Sequence, residues 1–194
     1  LQGVIGLLRY KSGRGEEASS QIEPAIAQIA SIAQVYGLQG SSQDAQLRLY
    51  ELIESAIQIA SFPVAFECMP PLREIVVPQA DAVPLALVIN ELMTNAIKHL
   101  ATDVQARRRI AVRLDRPAGQ VRVEIRSGPS RLPPGFDYAR RQGLGTGLEL
   151  ATVLLPEQRY ALRIEQDAGE VVAEIRFLSE ARNEDGAADA TQPS

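Results

Sequence analysis

The chain has little of several things. Among its 194 residues are one cysteine, Cys68, one histidine, His99, and no tryptophan, and aromatic residues make up 5%. A lone cysteine excludes a disulfide framework, and together with a lone histidine it cannot furnish a Cys/His zinc site. Such sparing use of cysteine fits a reducing compartment. Positive charge is not in excess either: 20 Lys+Arg against 24 Asp+Glu leave a formal charge of -4. No global field is present to hold nucleic acid or an anionic membrane, so any phosphate ligand must be met locally. We expect no apolar run approaching the ~20 residues that span a bilayer, and no charged segment followed by a short apolar core opens the chain. The expectation is a cytoplasmic chain with no nucleic-acid partner and no direct membrane contact. Gly (14) and Pro (12) are near average usage, which removes collagen-like and low-complexity readings. The chain opens at Leu1, inside an apolar helical pattern and without an initiator methionine, so it reads as a piece of a larger protein.

What is present is periodic. Leu1, Val4, Ile5, Leu7 and Leu8 recur at helical steps up to the break at Lys11 to Gly15, and Ile22, Ile26, Ile29, Ile32, Ala33 and Tyr36 form a second stripe that stops near Gly37. Two helices joined by a short Gly-containing loop predict an antiparallel hairpin over residues 1–42. Its apolar stripe calls for a second copy, giving a four-helix bundle in a homodimer. Leu47, Leu49, Tyr50, Leu52, Ile53, Ala56, Ile57 and Ala60 predict a third helix. Val64–Cys68 and Glu74–Val77 read as two short strands, and Ala82–Leu100 as the strongest helix. Arg109–Leu114 and Val121–Arg126 alternate around a Pro117-Ala118-Gly119 turn as a hairpin, and after a Gly- and Pro-rich loop come a helix, Leu148–Leu155, and strands Ala161–Gln166 and Val171–Phe177. The fold class is α+β: the helical hairpin, then a two-layer α/β sandwich over residues 43–178, then an acidic, apolar-poor tail, 179–194, expected to be disordered.

Two elements carry chemistry. On the helix Ala82–Leu100, Glu91, Asn95, Lys98 and His99 fall within one arc of about 100°, while Leu85, Ile89, Leu92, Met93, Ala96 and Leu100 take the opposite side and should pack on the sheet. A carboxylate, an amide oxygen and an ammonium one turn apart suit a magnesium triphosphate, since the amide can ligate Mg²⁺ or its water and the ammonium neutralises phosphate charge. The same spacing also describes a solvated helix face. The second element is Gly143-Leu144-Gly145-Thr146-Gly147-Leu148, ahead of a helix. Glycines allow close backbone approach and the first N–H groups of a helix attract anions. It is neither a Walker loop nor a dinucleotide-binding turn. Elsewhere, Cys68 reads as a small buried hydrophobe, Tyr36 and Tyr50 as core or interface, and Arg107-Arg108-Arg109 as a solvated strand edge.

The run Asn90-Glu91-Leu92-Met93-Thr94-Asn95-Ala96-Ile97-Lys98-His99 resembles the N box of sensor histidine kinases with a short nucleotide lid, members of the GHKL ATPase superfamily. Pro133-Pro134-Gly135-Phe136-Asp137 followed by Gly143 to Leu148 resembles the segment ending in that family's last glycine box, and Leu1 to Arg9 resembles the dimerisation helix just after the phosphoacceptor histidine. The resemblance extends to about residue 178. It implies a Bergerat ATP-binding fold, a homodimeric phosphotransfer hairpin, and ATP-dependent autophosphorylation of a histidine upstream of Leu1. Phosphoryl transfer to an aspartate of a response-regulator receiver domain would follow. By position, Asn95 would ligate Mg²⁺, Lys98 would contact phosphate, and Glu91 would be the catalytic carboxylate assisting activation or metal binding. His99 would lie beside ATP, and Gly143, Gly145 and Gly147 would close over its phosphates.

One departure stands out. Where the family's first glycine box carries an aspartate that accepts the adenine amino group, this chain has Arg126-Ser127-Gly128-Pro129-Ser130-Arg131. Arginine has donors only, so the adenine contact would come from elsewhere, with Asp137 as one candidate, or be missing. The alternative reading is thus a degenerate kinase that does not bind ATP and serves as a phosphotransfer or docking scaffold. A serine kinase of the anti-sigma type on the same fold would have no need of the helical hairpin.

Overall fold

The computed structural model describes residues 47–101 and 107–178. The expected hairpin of residues 1–42 and the expected tail of 179–194 lie outside the described residues. The described chain opens with helix α1, Leu49–Ile59, whose buried residues Leu49, Leu52, Ile53 and Ala56 follow the i, i+3, i+4, i+7 stripe of an amphipathic helix. Strand β1, Val64–Cys68, comes next. The second expected strand, Glu74–Val77, does not form. Pro70–Glu74 is a 3₁₀ turn instead, and Ile75 to Val77 pair only with the residues leading into α1, through Leu49 N–H to Ile75 O (2.9 Å) and Val77 N–H to Leu47 O (2.8 Å). Pro70 and Pro71 hold φ near its helical value and supply no N–H, so the segment turns tightly rather than extending a ladder.

Helix α2 runs Gln79–Lys98, three residues earlier than the periodicity suggested. Pro84 sits within its second turn, where the missing N–H forfeits one bond without ending the helix. By length and composition α2 would also qualify as a membrane span, contrary to the expectation that no such run exists, yet 61% of its apolar window is buried inside the domain. It is a core helix. Leu85, Ile89, Leu92, Met93, Ala96 and Leu100 are buried, as the face analysis expected. The remaining elements are β2 (Arg109–Asp115), β3 (Val121–Gly128), α3 (Thr146–Leu154), β4 (Tyr160–Asp167) and β5 (Glu170–Phe177).

The strands form one five-stranded sheet in the order β1-β2-β3-β5-β4. β1 pairs with β2 in parallel, and all other pairs are antiparallel, with Val112 opposite Ile125 and Ile125 opposite Ala173 in the centre. Alternation then decides the two faces. Ile110, Val112, Leu114, Val121, Val123, Ile125, Ala173, Ile175 and Phe177 join the core under the helices. On the other face charged residues interlock: Arg122 reaches Asp115 (2.5 Å), Glu124 and Glu174 (both 3.3 Å), and Arg126 holds Glu124 (2.8 Å). The result is a two-layer α/β sandwich, helices on one side and an ionic lattice on the other.

Of the minor sequence expectations, Tyr50 stacks on Phe66 with ring centroids 5.3 Å apart. Cys68 is only half-buried, its Sγ donating to Met69 O, and burial pushes its thiol pKa up. Arg107 and Arg108 are exposed, and Arg109 pairs with Glu170, as a strand edge should.

Candidate nucleotide site

Glu91, Asn95, Lys98 and His99 come together on the last turns of α2, His99 serving as its C-terminal cap. They form one wall of a cavity of about 270 Å³. Its floor is the helix-facing side of the sheet, with Ile125 and Ser127 of β3, Ile164 of β4, and Val171 and Ala173 of β5. Opposite α2 lie Arg131, Leu132, Pro133 and Phe136 of the segment after β3, and Gly143, Gly145 and Leu148 at the start of α3.

Asn95 Nδ2 donates to Glu91 Oε1 at 3.0 Å, one helical turn away. That bond occupies the amide's donor side and leaves Oδ1 without a hydrogen-bond partner among the described residues, so a carboxylate and an amide oxygen stand together. Lys98 is exposed and makes no ion pair among the described residues; nor does Arg131. This is notable in a domain where arginines of β2 to β5 are engaged with carboxylates. Two cations therefore line the cavity without an ion pair among the described residues. Partial burial, and then the adjacent Lys98 ammonium, hold the His99 imidazole below its ordinary pKa of 6.5.

The glycines divide. Gly143 and Gly145 line the cavity, but Gly147 does not. A Cβ on Gly147 would lie 1.8 Å from Glu91 Oε1, so this glycine makes room for the carboxylate instead. Gly143 has φ +67°, a left-handed conformation that a side chain disfavours, and a Cβ there would press on the Phe136 backbone at 3.3 Å. Gly145 precedes the first turn of α3 with open space around it.

The C-terminal end of α2 is stitched to the segment after β3. Ser130 Oγ donates to His99 O (2.8 Å) and Ala101 N–H to Pro129 O (2.9 Å). Gln166 of β4 clamps the same segment, accepting from Leu132 N–H (2.8 Å) and donating to Ser130 O (3.0 Å). These connections place Arg131 and Leu132 over the cavity.

Two sequence readings are corrected here. Arg126 does not occupy the cavity. It points to the ionic face of the sheet, held by Glu124 (2.8 Å) and Asp167 (3.0 Å), and the residue of β3 that faces the cavity is Ser127. Continuing the inward alternation Val121, Val123, Ile125 one step further would have found it. Asp137 is not in the cavity either: it bridges Gln142 and accepts from Arg140 N–H (3.0 Å), folding the loop upon itself. Besides Ser127, the sequence reading missed Ser130, Arg131 and Gln166 as site residues. Arg131 had no periodic signal, and Gln166 is brought in by a pairing 36 residues distant.

No protein-family model matches the chain. It is similar to the sensor histidine kinase PdtaS of Mycobacterium tuberculosis, 29% identical over 153 residues, and to that of Mycolicibacterium smegmatis, 28% identical over the same length. Each match takes in 75% of this chain and 30% of the relative, so the chain spans under a third of their length. Among solved structures it resembles the histidine kinase domain of the blue-light activated kinase of Erythrobacter litoralis EL346, with TM-score 0.67, 17% identity, and coverage of 90% of this chain and 83% of that one. The catalytic domain of histidine kinase ThkA gives TM-score 0.54 at 18% identity, covering 69% of this chain and 94% of that one. ThkA in complex with response regulator protein TrrA gives 0.50 at 14% identity, covering 90% and 56%. These likenesses show the mixed α/β fold with its five-stranded sheet, a fold this chain shares with the catalytic domains of those histidine kinases.

Proposed function

We propose that this chain is the catalytic and dimerisation region of a two-component sensor histidine kinase, which binds ATP in the cavity between α2 and α3 and transfers its γ-phosphoryl group to a histidine. One observation carries the reading: Glu91, Asn95, Lys98 and His99 of α2 meet Gly143 and Gly145 before α3 around a single cavity. Its sheet floor is apolar enough for a heterocycle, and Lys98 and Arg131, which make no ion pair among the described residues, offer charge for a polyphosphate. The donor set also fits Mg²⁺, which needs few protein ligands because it retains waters and takes phosphate oxygens. Asn95 Oδ1 would hold it, with Glu91 adjacent. When bound, the ion would neutralise phosphate charge.

The protein's own part is positioning. Lys98 and Arg131 would fix the phosphates, the N–H groups opening α3 would face them, and Glu91 would orient the attacking imidazole or support the metal. The chain's one histidine is His99, a cavity residue, so the acceptor imidazole would belong to another segment of the protein. A homodimer through residues 1–42 would present it, in the cytoplasm. The onward acceptor would be an aspartate of a response-regulator receiver domain, the kind of partner named for ThkA.

Calorimetric titration with Mg-ATP and ADP tests the reading, with Asn95→Ala as control. We expect binding in the micromolar to sub-millimolar range that the variant loses. Absence of heat at millimolar nucleotide would leave the docking-scaffold reading in its place.

A further inference from the structure

The floor of the cavity holds one unassigned polar group. Of the described residues, the buried polar side chains that line the cavity are Ser127 and Ser130, at 2% and 4% exposure. The Ser130 hydroxyl is committed to His99 O at 2.8 Å. The Ser127 hydroxyl has no hydrogen-bond partner among the described residues, and it faces the cavity amid Ile125, Ile164, Val171 and Ala173. Its Oγ is not among the side-chain atoms sealed from solvent, so it stands open to the cavity, where a ligand atom can complete it.

The chemistry of that group decides what it can read. A hydroxyl is both donor and acceptor and rotates to suit, whereas a carboxylate only accepts and a guanidinium only donates. The one carboxylate lining the cavity among the described residues, Glu91, stands on α2 with its oxygens against Gly147. Arg126, the strand neighbour of Ser127, is turned to the opposite face and held by Glu124 and Asp167. Among the described residues, nothing on the floor therefore demands a donor from the ligand, and nothing demands an acceptor.

We propose that Ser127 is the base-reading residue of this cavity and that it admits 6-amino and 6-oxo purine nucleoside triphosphates alike. The hydroxyl accepts from an exocyclic amino group in one rotamer and donates to an exocyclic carbonyl in another. The proposal rests on the reading of the cavity as a nucleoside triphosphate site. It adds the substrate class: the chain selects for the polyphosphate and for a purine-sized apolar slot, and does not select for adenine.

ATP and ITP, which differ at the six-membered ring's exocyclic group and the protonation of its neighbouring nitrogen, are the probes. Each is titrated with Mg²⁺ into the full chain and into Ser127→Asp and Ser127→Ala. We expect wild-type dissociation constants within about 5-fold of each other, since neither ligand leaves the hydroxyl unpaired. Ser127→Asp, accepting only, should retain ATP and lower the ITP-to-ATP affinity ratio by about 5-fold or more, because its carboxylate repels the 6-oxo oxygen even where it accepts from the neighbouring N–H. Ser127→Ala should weaken both by a similar factor. A wild-type preference for ATP above about 20-fold overturns the inference while leaving the nucleotide site standing. Failure of both nucleotides to bind overturns the nucleotide reading itself. Should Ser127→Asp melt at room temperature, the wild-type ratio and the Ser127→Ala titrations decide the matter alone.

Discussion

The carboxylate of Glu91 rests on the backbone of Gly147: a Cβ built there would sit 1.8 Å from Oε1 and 1.9 Å from Cδ. The atoms in the way are the far end of a flexible side chain, not backbone. Gly147→Ala should therefore fold, and helix propensity even favours it by about 0.5–1 kcal/mol. What it must do is swing Glu91 aside and break the 3.0 Å bond from Asn95. We expect a melting temperature within a few degrees of wild type and Mg-nucleotide affinity down by about 10-fold or more. A large fall in melting temperature with unchanged affinity would show that the contact only supports the fold.

Lys98 and Arg131 reach the cavity from different elements, and neither makes an ion pair among the described residues. If both serve the phosphates, Lys98→Met and Arg131→Met should each weaken Mg-ATP binding by several-fold, weaken AMP less, and leave stability untouched. The defect should shrink as salt rises, because exposed charges are screened over about 10 Å at 0.1 M ionic strength. Titrations of ATP and AMP at low and high salt distinguish this from a loss of packing, which salt would not alter.

How much of this was legible beforehand depended on the range of the interaction. Helix α2 was readable because Leu85, Ile89, Leu92, Met93 and Ala96 repeat on one face, and that repetition by itself placed Glu91, Asn95, Lys98 and His99 together. The β2–β3 hairpin was readable from strict alternation. Ile75 to Val77 misled because their β-branched residues suit a strand, while Pro70 and Pro71 ahead of them dictate a turn. Arg126 misled through a one-residue offset, which in a strand exchanges the ionic face for the cavity face. The role of Gly147 was invisible, since it is set by a side chain 56 positions away in sequence, Glu91.

Asp81 shows a second long-range tie. It is 2% exposed in the first turn of α2, accepts from Tyr160 Oη at 2.7 Å, and pairs with Arg159 at 2.6 Å. Burial, and then Asp81, raise the Tyr160 pKa, so the phenol stays a donor throughout the physiological range. Asp81→Ala removes the acceptor and leaves a buried hydroxyl without a partner. The expected loss is about 2–4 kcal/mol, against about 1 kcal/mol for Tyr160→Phe. Urea unfolding of both variants and of the double variant checks this, since the double should cost less than the sum if the two groups act through each other.

Stability should decline with acid in two separable windows. His99 has its pKa lowered below 6.5 by partial burial and then by Lys98, so the folded state favours the neutral ring. Its contribution is present above pH 6.5 and falls as pH drops from there toward the folded value, because the unfolded chain takes up the proton first. Asp115 has its pKa lowered below 3.8, chiefly by the hydrogen bond from Arg122, against the opposing effect of burial. That contribution is present above pH 3.8 and is lost as pH falls through the lower folded value. His99→Gln should flatten the upper window and leave the lower one, since Ser130 bonds the backbone carbonyl of residue 99 and not its ring. Asp115→Asn should do the reverse, lowering stability at neutral pH while making it less sensitive to acid. Urea midpoints measured from pH 8 to pH 3 for the three proteins resolve the two. Parallel curves for wild type and His99→Gln between pH 7 and pH 5 would show that the imidazole is not a determinant of the upper window.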